Sequence, residues 1–263
     1  MHVVRGTVAE GEAAVTGSTT LRELSGVDAD LEVSIVEAKE LYCFLDGSIQ
    51  NPHVRHQLWR NWGHCPRHSW AFAIANCELR LRPFQTGILY EDLTGRAARL
   101  LSRPLLPNAV ARHLLRSHGS CFTCDYASLA TPDPEYVAIT RRVNRRRVIT
   151  EWLAELRPWW EPRSCPFCLG GSGLVCRPHV LAGRPWDRHR TTAGLRELEG
   201  RLQTLVRSMT WNGPTATSED RASVVEALGW FAGWSSADAI APRSTPAKPG
   251  LTGTRRPLLW RIQ

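Results

Sequence analysis

Several features that define large classes of proteins are absent from this sequence of 263 residues. No apolar run approaches the ~18 residues that a membrane-spanning helix needs. The most apolar stretch, from Val224 to Trp234, is short and contains Glu226 and two glycines. The N-terminus also lacks the basic-then-apolar order of a secretory signal peptide. We therefore expect no membrane association and, by default, a cytoplasmic location.

Motifs of nucleotide binding and of serine hydrolysis are missing too. The glycines at 170, 171 and 173 are not followed by the Gly-Lys-Ser/Thr of a phosphate-binding loop, and no strand pattern precedes them. No Gly-x-Ser-x-Gly elbow occurs. Any enzymatic function would therefore have to rest on a metal.

Lysine is nearly absent, since only Lys39 and Lys248 occur, so the net charge of +8 comes almost entirely from arginine. The charge is uneven: residues 1–40 are net −5 and the other 223 are net +13. A chain that uses arginine throughout is typical of coding bias rather than of a selected basic surface. Net charge by itself is thus a weak indication of nucleic-acid binding.

The sequence does contain a core-forming share of apolar residues, 43%, arranged mainly with helical spacing. Helical patterns occupy segments 53–62, 69–82, 88–101 and 192–211. The Asp133-Pro134-Glu135 start predicts a helix that runs to Arg157 and stops at Pro158. Ser218 caps a last helix. No strand pattern is convincing, so the predicted fold class is all-α.

The predicted architecture is a bundle-like helical fold with two metal-stapled modules between mobile terminal segments. An acidic N-terminal segment covers 1–40, and its first ~25 residues have the composition of a loose chain. The first Cys/His helical module covers 41–118 and the second covers 119–234. A Pro-rich tail, predicted to be extended, covers 235–263.

The eight cysteines give the strongest functional signal, because cysteines of a cytoplasmic protein are more often metal ligands than disulfide partners. The motif Cys165-x2-Cys168-x7-Cys176-x2-His179 predicts a closed Cys3His site. A C-x2-C or C-x2-H turn directs two donors at one point with little strain, and three nearby glycines permit the tight return. The histidines favour zinc, two ions in all, over the alternative of an iron–sulfur cluster.

A second site is predicted around Cys65 and His68, and two partner sets are open for it. One set is Cys43 with Asp46; the other is Cys121 with Cys124, brought in from elsewhere in the fold. Cys77 lies on the apolar face of its helix and is expected to be a core thiol.

The first partner set would also be compatible with a catalytic zinc site. If Cys43, Cys65 and His68 are the only strong ligands, one position of the ion stays open for water or substrate. Asp46, His64 or Glu78 would then be the candidate base. A structural zinc, completed by Asp46, a water or a distant cysteine, is the favoured interpretation.

The order of these motifs resembles that of a known family. The chain has Cys-x2-Asp at 43–46, Gly-His-Cys-Pro-Arg-His-Ser-Trp at 63–70 and Ile-Leu-Tyr-Glu-Asp-Leu at 88–93. A Gly-x2-Cys-x2-His turn at 173–179 and a closing helix at 221–233 follow. This pattern resembles uncharacterised bacterial helical proteins with duplicated Cys-x2-Cys…Cys-x2-His modules. The resemblance implies two duplicated metal modules on a helical scaffold and no particular activity. The chain departs from the pattern at Asp46, where a cysteine is expected, and in having two later Cys-x2-Cys pairs.

A run of arginines lies on the helix predicted from Glu135: Arg141, Arg142, Arg145, Arg146 and Arg147. Spacings of four residues would align them as one basic ridge, which can neutralise phosphates. The simpler interpretation is a solvated helix face.

Three functions follow, in order of preference. The first is a zinc-stabilised protein that acts by binding, most simply to a protein partner of unknown identity. The second is a metal-dependent enzyme with an open Cys2His site at Cys43, Cys65 and His68. The third is nucleic-acid binding through the ridge from Arg141 to Arg147.

Overall fold

The computed structural model describes residues 31–47 and 51–242, where every regular element is a helix. The predicted all-α fold is therefore confirmed. The predicted loose segment, 1 to ~25, and the tail beyond residue 242 lie outside the described residues. In chain order, the helices are α1 (Ile35–Asp46), α2 (Pro52–Asn61), α3 (Pro66–Arg80), α4 (Phe84–Leu101), α5 (Asn108–Leu114), α6 (Phe122–Leu129), a 3₁₀ turn (Pro134–Tyr136), α7 (Val137–Asn144), α8 (Arg147–Trp160), a second 3₁₀ turn (Glu161–Arg163), α9 (Pro166–Leu169), α10 (Arg177–Leu181), α11 (Arg188–Arg207), α12 (Ser218–Ala232) and α13 (Ser235–Ile240).

The helix α12 forms the centre of the core. It contains most of the sequence's most apolar stretch and packs against α3, α4, α8, α10 and α11, which explains why apolar residues occupy nearly all of its faces. The neighbouring α3 is also largely buried, and Trp70 in it donates from Nε1 to the carbonyl of Gly233 at 3.0 Å. None of the helices described is both long and apolar enough to cross a membrane. The apolar stretch thus serves the protein core.

The structure corrects the predicted continuous helix from Glu135 to Arg157. The helix is interrupted between α7 and α8, because Arg146 adopts a left-handed backbone conformation with φ of 51°. The half-buried Asn144 side chain contributes to the turn, since it exchanges two hydrogen bonds of 2.8 Å with the backbone of Val33. The arginines from Arg141 to Arg147 therefore do not lie on one helix and do not form a single ridge.

A carboxylate from another helix starts α8 after this break. Glu78 in α3 accepts hydrogen bonds from the backbone N–H groups of Val148 and Ile149, at 2.7 and 3.1 Å. Glu78 thereby caps α8, whereas the side chain of Arg146, at the N-cap position, accepts no hydrogen bond from the helix. Burial raises the pKa of Glu78, although these backbone hydrogen bonds oppose the change. Glu78 is thus engaged in the fold.

Two further predicted boundaries are wrong. Helix α8 continues through Pro158 to Trp160, whose Nε1 donates to the carbonyl of Leu153 at 3.0 Å. The ring of Trp160 stacks on that of Trp234 at 5.9 Å between centroids. The first residues of the predicted extended tail instead form α13, which packs against α3 and α8. In both places, buried tryptophans and core packing outweigh local sequence signals.

Candidate metal centres

Four helix N-termini carry the candidate ligands. In each, a cysteine is the N-cap residue and the second donor follows three residues later, in the first turn. The pairs are Cys65/His68 at α3, Cys121/Cys124 at α6, Cys165/Cys168 at α9 and Cys176/His179 at α10. Proline occupies the first or second position of three of these helices, where its missing N–H is not needed. The helix start therefore fixes the geometry of each pair, and its dipole favours thiolates.

The first cluster joins Cys65 and His68 to Cys121 and Cys124, and the four ligand atoms all lie within 4.8 Å of one another. His68 Nδ1 is 3.3, 3.6 and 3.2 Å from the sulfurs of Cys65, Cys121 and Cys124, respectively. The sulfurs of Cys65 and Cys124 are 3.8 Å apart. Of the two partner sets left open by the sequence, the structure brings together the distant one.

The second cluster consists of Cys165, Cys168, Cys176 and His179, as the spacing predicts, and its ligand atoms also lie within 4.8 Å. His179 Nδ1 is 3.6, 3.4 and 3.1 Å from the three sulfurs in chain order. The sulfurs of Cys168 and Cys176 are 3.7 Å apart. The tight return depends on glycine: a Cβ on Gly173 would lie 1.8 Å from the carbonyl oxygen of Arg163.

These separations can be compared with those around one tetrahedral ion. Zinc binds sulfur at about 2.3 Å and imidazole nitrogen at about 2.0–2.1 Å. A tetrahedron with those bonds separates two sulfurs by about 3.8 Å and a sulfur from the nitrogen by about 3.6 Å. The sulfur–sulfur distances of 3.7 and 3.8 Å match, and the sulfur–nitrogen distances of 3.1–3.6 Å are close. Each cluster therefore fits a single ion.

In each cluster, the contacts among the sulfurs favour a thiolate, the form that binds metal, at one cysteine, and these contacts and burial raise the pKa of the other two thiols. A hydrogen bond from Cys65 lowers the pKa of Cys121 far below its usual range, and His64 and His68 act in the same direction. Hydrogen bonds from Cys168 and Cys176 likewise lower the pKa of Cys165. All eight cysteines are free thiols, so none of the ligands is lost to a disulfide.

A buried carboxylate supports the first cluster. Glu37 Oε1 lies 2.8 Å from His68 Nε2, on the side of the ring opposite the sulfurs, and Glu37 also forms an ion pair with Arg67. Burial by itself would raise the pKa of Glu37, but hydrogen bonds from His68, Arg67 and Ser34 outweigh it and hold the pKa well below its usual range. A carboxylate in this position fixes the tautomer and orientation of a metal-binding histidine.

Glu37 is a site residue that the sequence motifs do not predict. Ser34 and Glu37 form a capping box at the start of α1, and the Ser-x-x-Glu spacing before an apolar run is a recognisable signal for it. That signal would have located the helix start. Its contact with His68 is a tertiary feature that no local pattern contains.

Cys43 and Asp46, the other predicted partner set, do not belong to the first cluster. Asp46 pairs with Arg80 at 2.7 Å, and Cys43 interacts with Tyr136. Cys43 lies six residues beyond Glu37 on α1, which places it about 9 Å further along the axis and on a different face. The open Cys2His arrangement of Cys43, Cys65 and His68 therefore does not form.

Of the three candidate bases, Asp46 and Glu78 interact with other parts of the fold, and His64 is buried beside the first cluster. Asp46 is in its surface ion pair, and Glu78 caps α8. His64 does lie beside the first cluster: its Nδ1 is 4.0 Å from the sulfur of Cys121 and 3.2 Å from Oγ1 of Thr123. Its ring is buried against Phe44 and Phe72, so His64 is part of the wall around the cluster.

The fold and the two clusters define an all-α protein with two candidate metal centres. No family model, curated protein or solved structure matches this chain.

Proposed function

We propose that this chain binds two zinc ions, one in each Cys3His cluster, and that it acts by binding a partner while the ions hold the fold. The observation that carries the proposal is the completeness of both ligand sets. Three sulfurs and one imidazole nitrogen converge within 4.8 Å in each cluster. Structural zinc sites have this closed, four-ligand composition.

The choice of zinc rests on spacing and on ligand chemistry. An iron–sulfur cluster places two or four irons and bridging sulfides between its ligands, which requires more room than one ion does. Separations of 3.1–3.8 Å between neighbouring ligand atoms suit a mononuclear site. Three thiolates with one imidazole are a typical zinc ligand set.

A structural role suits the ligands better than a catalytic one. A catalytic zinc keeps a position open for water or substrate, whereas here four protein side chains fill the tetrahedron. The acidic group that contacts a ligand of the first cluster, Glu37, is engaged by His68 and Arg67. The geometry therefore does not support the hypothesis of a metal-dependent enzyme with an open site at Cys43, Cys65 and His68.

Two further parts of the proposal concern origin and compartment. Free thiol ligands suit a reducing compartment, and we propose the cytoplasm. The resemblance to duplicated bacterial modules remains a proposal, supported by the pairing of one Cys-x2-Cys with one Cys-x2-His in each cluster. The order of the two pairs is reversed between the clusters, and the first cluster spans the predicted module boundary at 118/119.

Metal analysis of the purified protein, with thermal melts in the presence and absence of a chelator, tests the proposal. We expect two zinc ions per chain and a large loss of helical signal on chelation. Cys121→Ser should reduce the zinc content from two to one. Cys43→Ser removes a cysteine outside both clusters and should leave it at two. A protein that is purified without metal and melts identically with chelator contradicts the proposal.

A further inference from the structure

The segment from the second half of α4 to the first cluster's second ligand pair is strongly basic. Residues 93–124 contain five arginines and no aspartate or glutamate. Two of the arginines, Arg112 and Arg116, lie four residues apart on α5 and the turn that ends it. A stretch of this kind gives the surface a local excess of positive charge.

The fold attaches this basic stretch to the second cluster. Helix α5 packs against α10, and Nη1 of Arg112 lies 3.8 Å from the position of a Cβ on Gly183. Arg177, between the ligands Cys176 and His179, reaches Ser117 Oγ at 3.3 Å. Arg112 thus lies beside the segment that follows His179, and Ser117, next to Arg116, lies beside the turn between Cys176 and His179.

An aromatic side chain lies on the same side of the second cluster. Phe167, between the ligands Cys165 and Cys168, is 44% exposed. One neighbour of its ring is His179, at 5.5 Å between centroids, and another is the exposed Arg184, whose guanidinium lies 5.3 Å from the ring centroid. Because the metal would hold both ends of this turn, Phe167 is presented on a fixed support.

The arginines of this surface differ from those that form ion pairs. Arg55, Arg80, Arg163 and Arg201 are examples of the latter, since each has a carboxylate within 4.0 Å. Among the residues that the structure describes, no such ion pair involves Arg112, Arg116 or Arg184. The nearby Asp187 uses its carboxylate to cap α11, accepting hydrogen bonds from His189 and Arg190. The surface therefore keeps unneutralised positive charge.

We propose that this surface binds single-stranded nucleic acid, with a base stacked on Phe167 and the backbone phosphates beside Arg112, Arg116 and Arg184. Exposed aromatic rings next to unpaired arginines are the combination that such strands require. The inference rests on the proposed function, because the second zinc ion holds Phe167 in place. It names the partner that the zinc-stabilised protein binds.

The arginines from Arg141 to Arg147 fit this ligand less well. They are divided between two helices by the break at Arg146, and Arg142 and Arg147 act on the buried carboxylate of Glu78. The groove beside Arg141 and Arg145, with a cavity of about 410 Å³, also contains Glu32. No exposed aromatic side chain lines it.

Fluorescence anisotropy with labelled single strands of about 12 nucleotides, oligo(dT) and oligo(U), tests the proposal on the full-length zinc-loaded protein. We expect binding that weakens as salt rises from about 50 to 200 mM. Phe167→Ala should weaken it at least fivefold, since stacking of one base contributes a factor of roughly 5 to 150. Arg184→Gln should reduce the slope of log affinity against log salt by about 0.7. A preference for either strand identifies the natural ligand as RNA or DNA.

Matched controls distinguish the proposed surface from general charge. Trp211→Ala removes an almost fully exposed aromatic ring elsewhere, and Arg141→Gln with Arg142→Gln removes two positive charges from α7, one more than Arg184→Gln removes. Both should leave binding unchanged. Binding that is lost with the α7 pair, or that persists in Phe167→Ala and Arg184→Gln, overturns the inference.

Zinc content, measured on every sample, separates this inference from the proposed function. A wild-type protein that carries no zinc overturns the proposed function. A protein that carries two zinc ions and binds neither strand overturns only the nucleic-acid inference. Should Phe167→Ala lose zinc, Phe167→Leu replaces it in the comparison, because leucine keeps an apolar side chain without a stacking face; it is expected to weaken binding as alanine does.

Discussion

The two clusters have the same ligand set but connect the chain in different ways. The second is local: its four ligands lie within residues 165–179, and three glycines close the turn. The first joins ligands 53–59 residues apart and draws in Glu37 from α1 as well. One cluster therefore shapes a loop, whereas the other holds three helices together.

The residues that contact the ligands also differ between the two clusters. Around His68, the ring nitrogen that faces away from the sulfurs meets a buried carboxylate, and Arg67 balances the charge. Around the second cluster, the contacts are from backbone: the N–H groups of Phe167 and Cys176 donate to the sulfur of Cys165, and the more distant N–H of Trp234 donates to that of Cys168. The same tetrahedron can thus be stabilised by long-range side chains or by backbone N–H groups, most of them in its own turn.

The largest predicted effect comes from removing one ligand from each cluster in turn. Cys121→Ser should release α1 and α6, whereas Cys168→Ser should release mainly residues 161–186. Structural zinc contributes an apparent binding energy of about 10–16 kcal/mol, comparable to the total stability of a domain, so both losses should be severe. Amide hydrogen exchange, followed segment by segment by mass spectrometry, measures them.

The pair α4 and α11 provides the internal reference, because it is the most extensive helix pair and contains no ligand. Its protection should persist longest in both variants. If Cys168→Ser deprotects α1 and α6 as strongly as Cys121→Ser does, the two clusters act as one unit and the contrast between local and long-range sites is wrong.

A smaller effect is expected from the turn of the second cluster. In Gly173→Ala, the new methyl group would lie 1.8 Å from a backbone oxygen of Arg163, which cannot move without displacing Cys165 two residues later. We expect a loss of about 3 kcal/mol, as for overpacked sites, visible as a lower midpoint in chemical denaturation. The zinc content of the first cluster should be unchanged.

The matched control is Gly200→Ala in α11, where a Cβ meets no atom within 4 Å. Alanine there should stabilise the protein by up to about 1 kcal/mol, because glycine is a poor residue inside a helix. Equal behaviour of the two variants would mean that the turn relaxes without cost.

The contrast between the clusters also explains which features could be predicted from the sequence. The second cluster follows from spacing alone, because its ligands and glycines are neighbours in the chain. For the first, Cys65 and His68 carry a local signal, but the choice between Cys43 and Cys121 depends on how α1 and α6 pack. Cys43 has a ligand-like position in the sequence, and only the packing of α1 shows that it lies outside the first cluster.

The fold shows the same division. Several of the longer helices follow from apolar periodicity, as in segments 69–82 and 88–101, whose predicted ends lie close to those of α3 and α4. Helix α1 and the short helices α5, α6, α9, α10 and α13 are not predicted. The break at Arg146 does not follow from periodicity either, because the cap of α8 comes from Glu78, about 70 residues away in sequence. Where a distant side chain replaces a local cap, a pattern read along the chain predicts one continuous helix.

The smallest effect tests the side-chain support of the first cluster. Glu37→Gln keeps the shape of the side chain but removes the charge that faces His68 and Arg67, so the imidazole becomes a weaker ligand. Loss of such a supporting carboxylate typically costs 10- to 100-fold in metal affinity. Competition with a chromogenic chelator should show the affinity for one of the two zinc ions weakened by about that factor and the affinity for the other unchanged.

Glu40→Gln, the same change at another buried position of α1, should leave both affinities as they are. A uniform weakening of both ions would show that Glu37 acts through the overall fold, whereas a selective one shows that the long-range cluster depends on a side chain that the local cluster does not need.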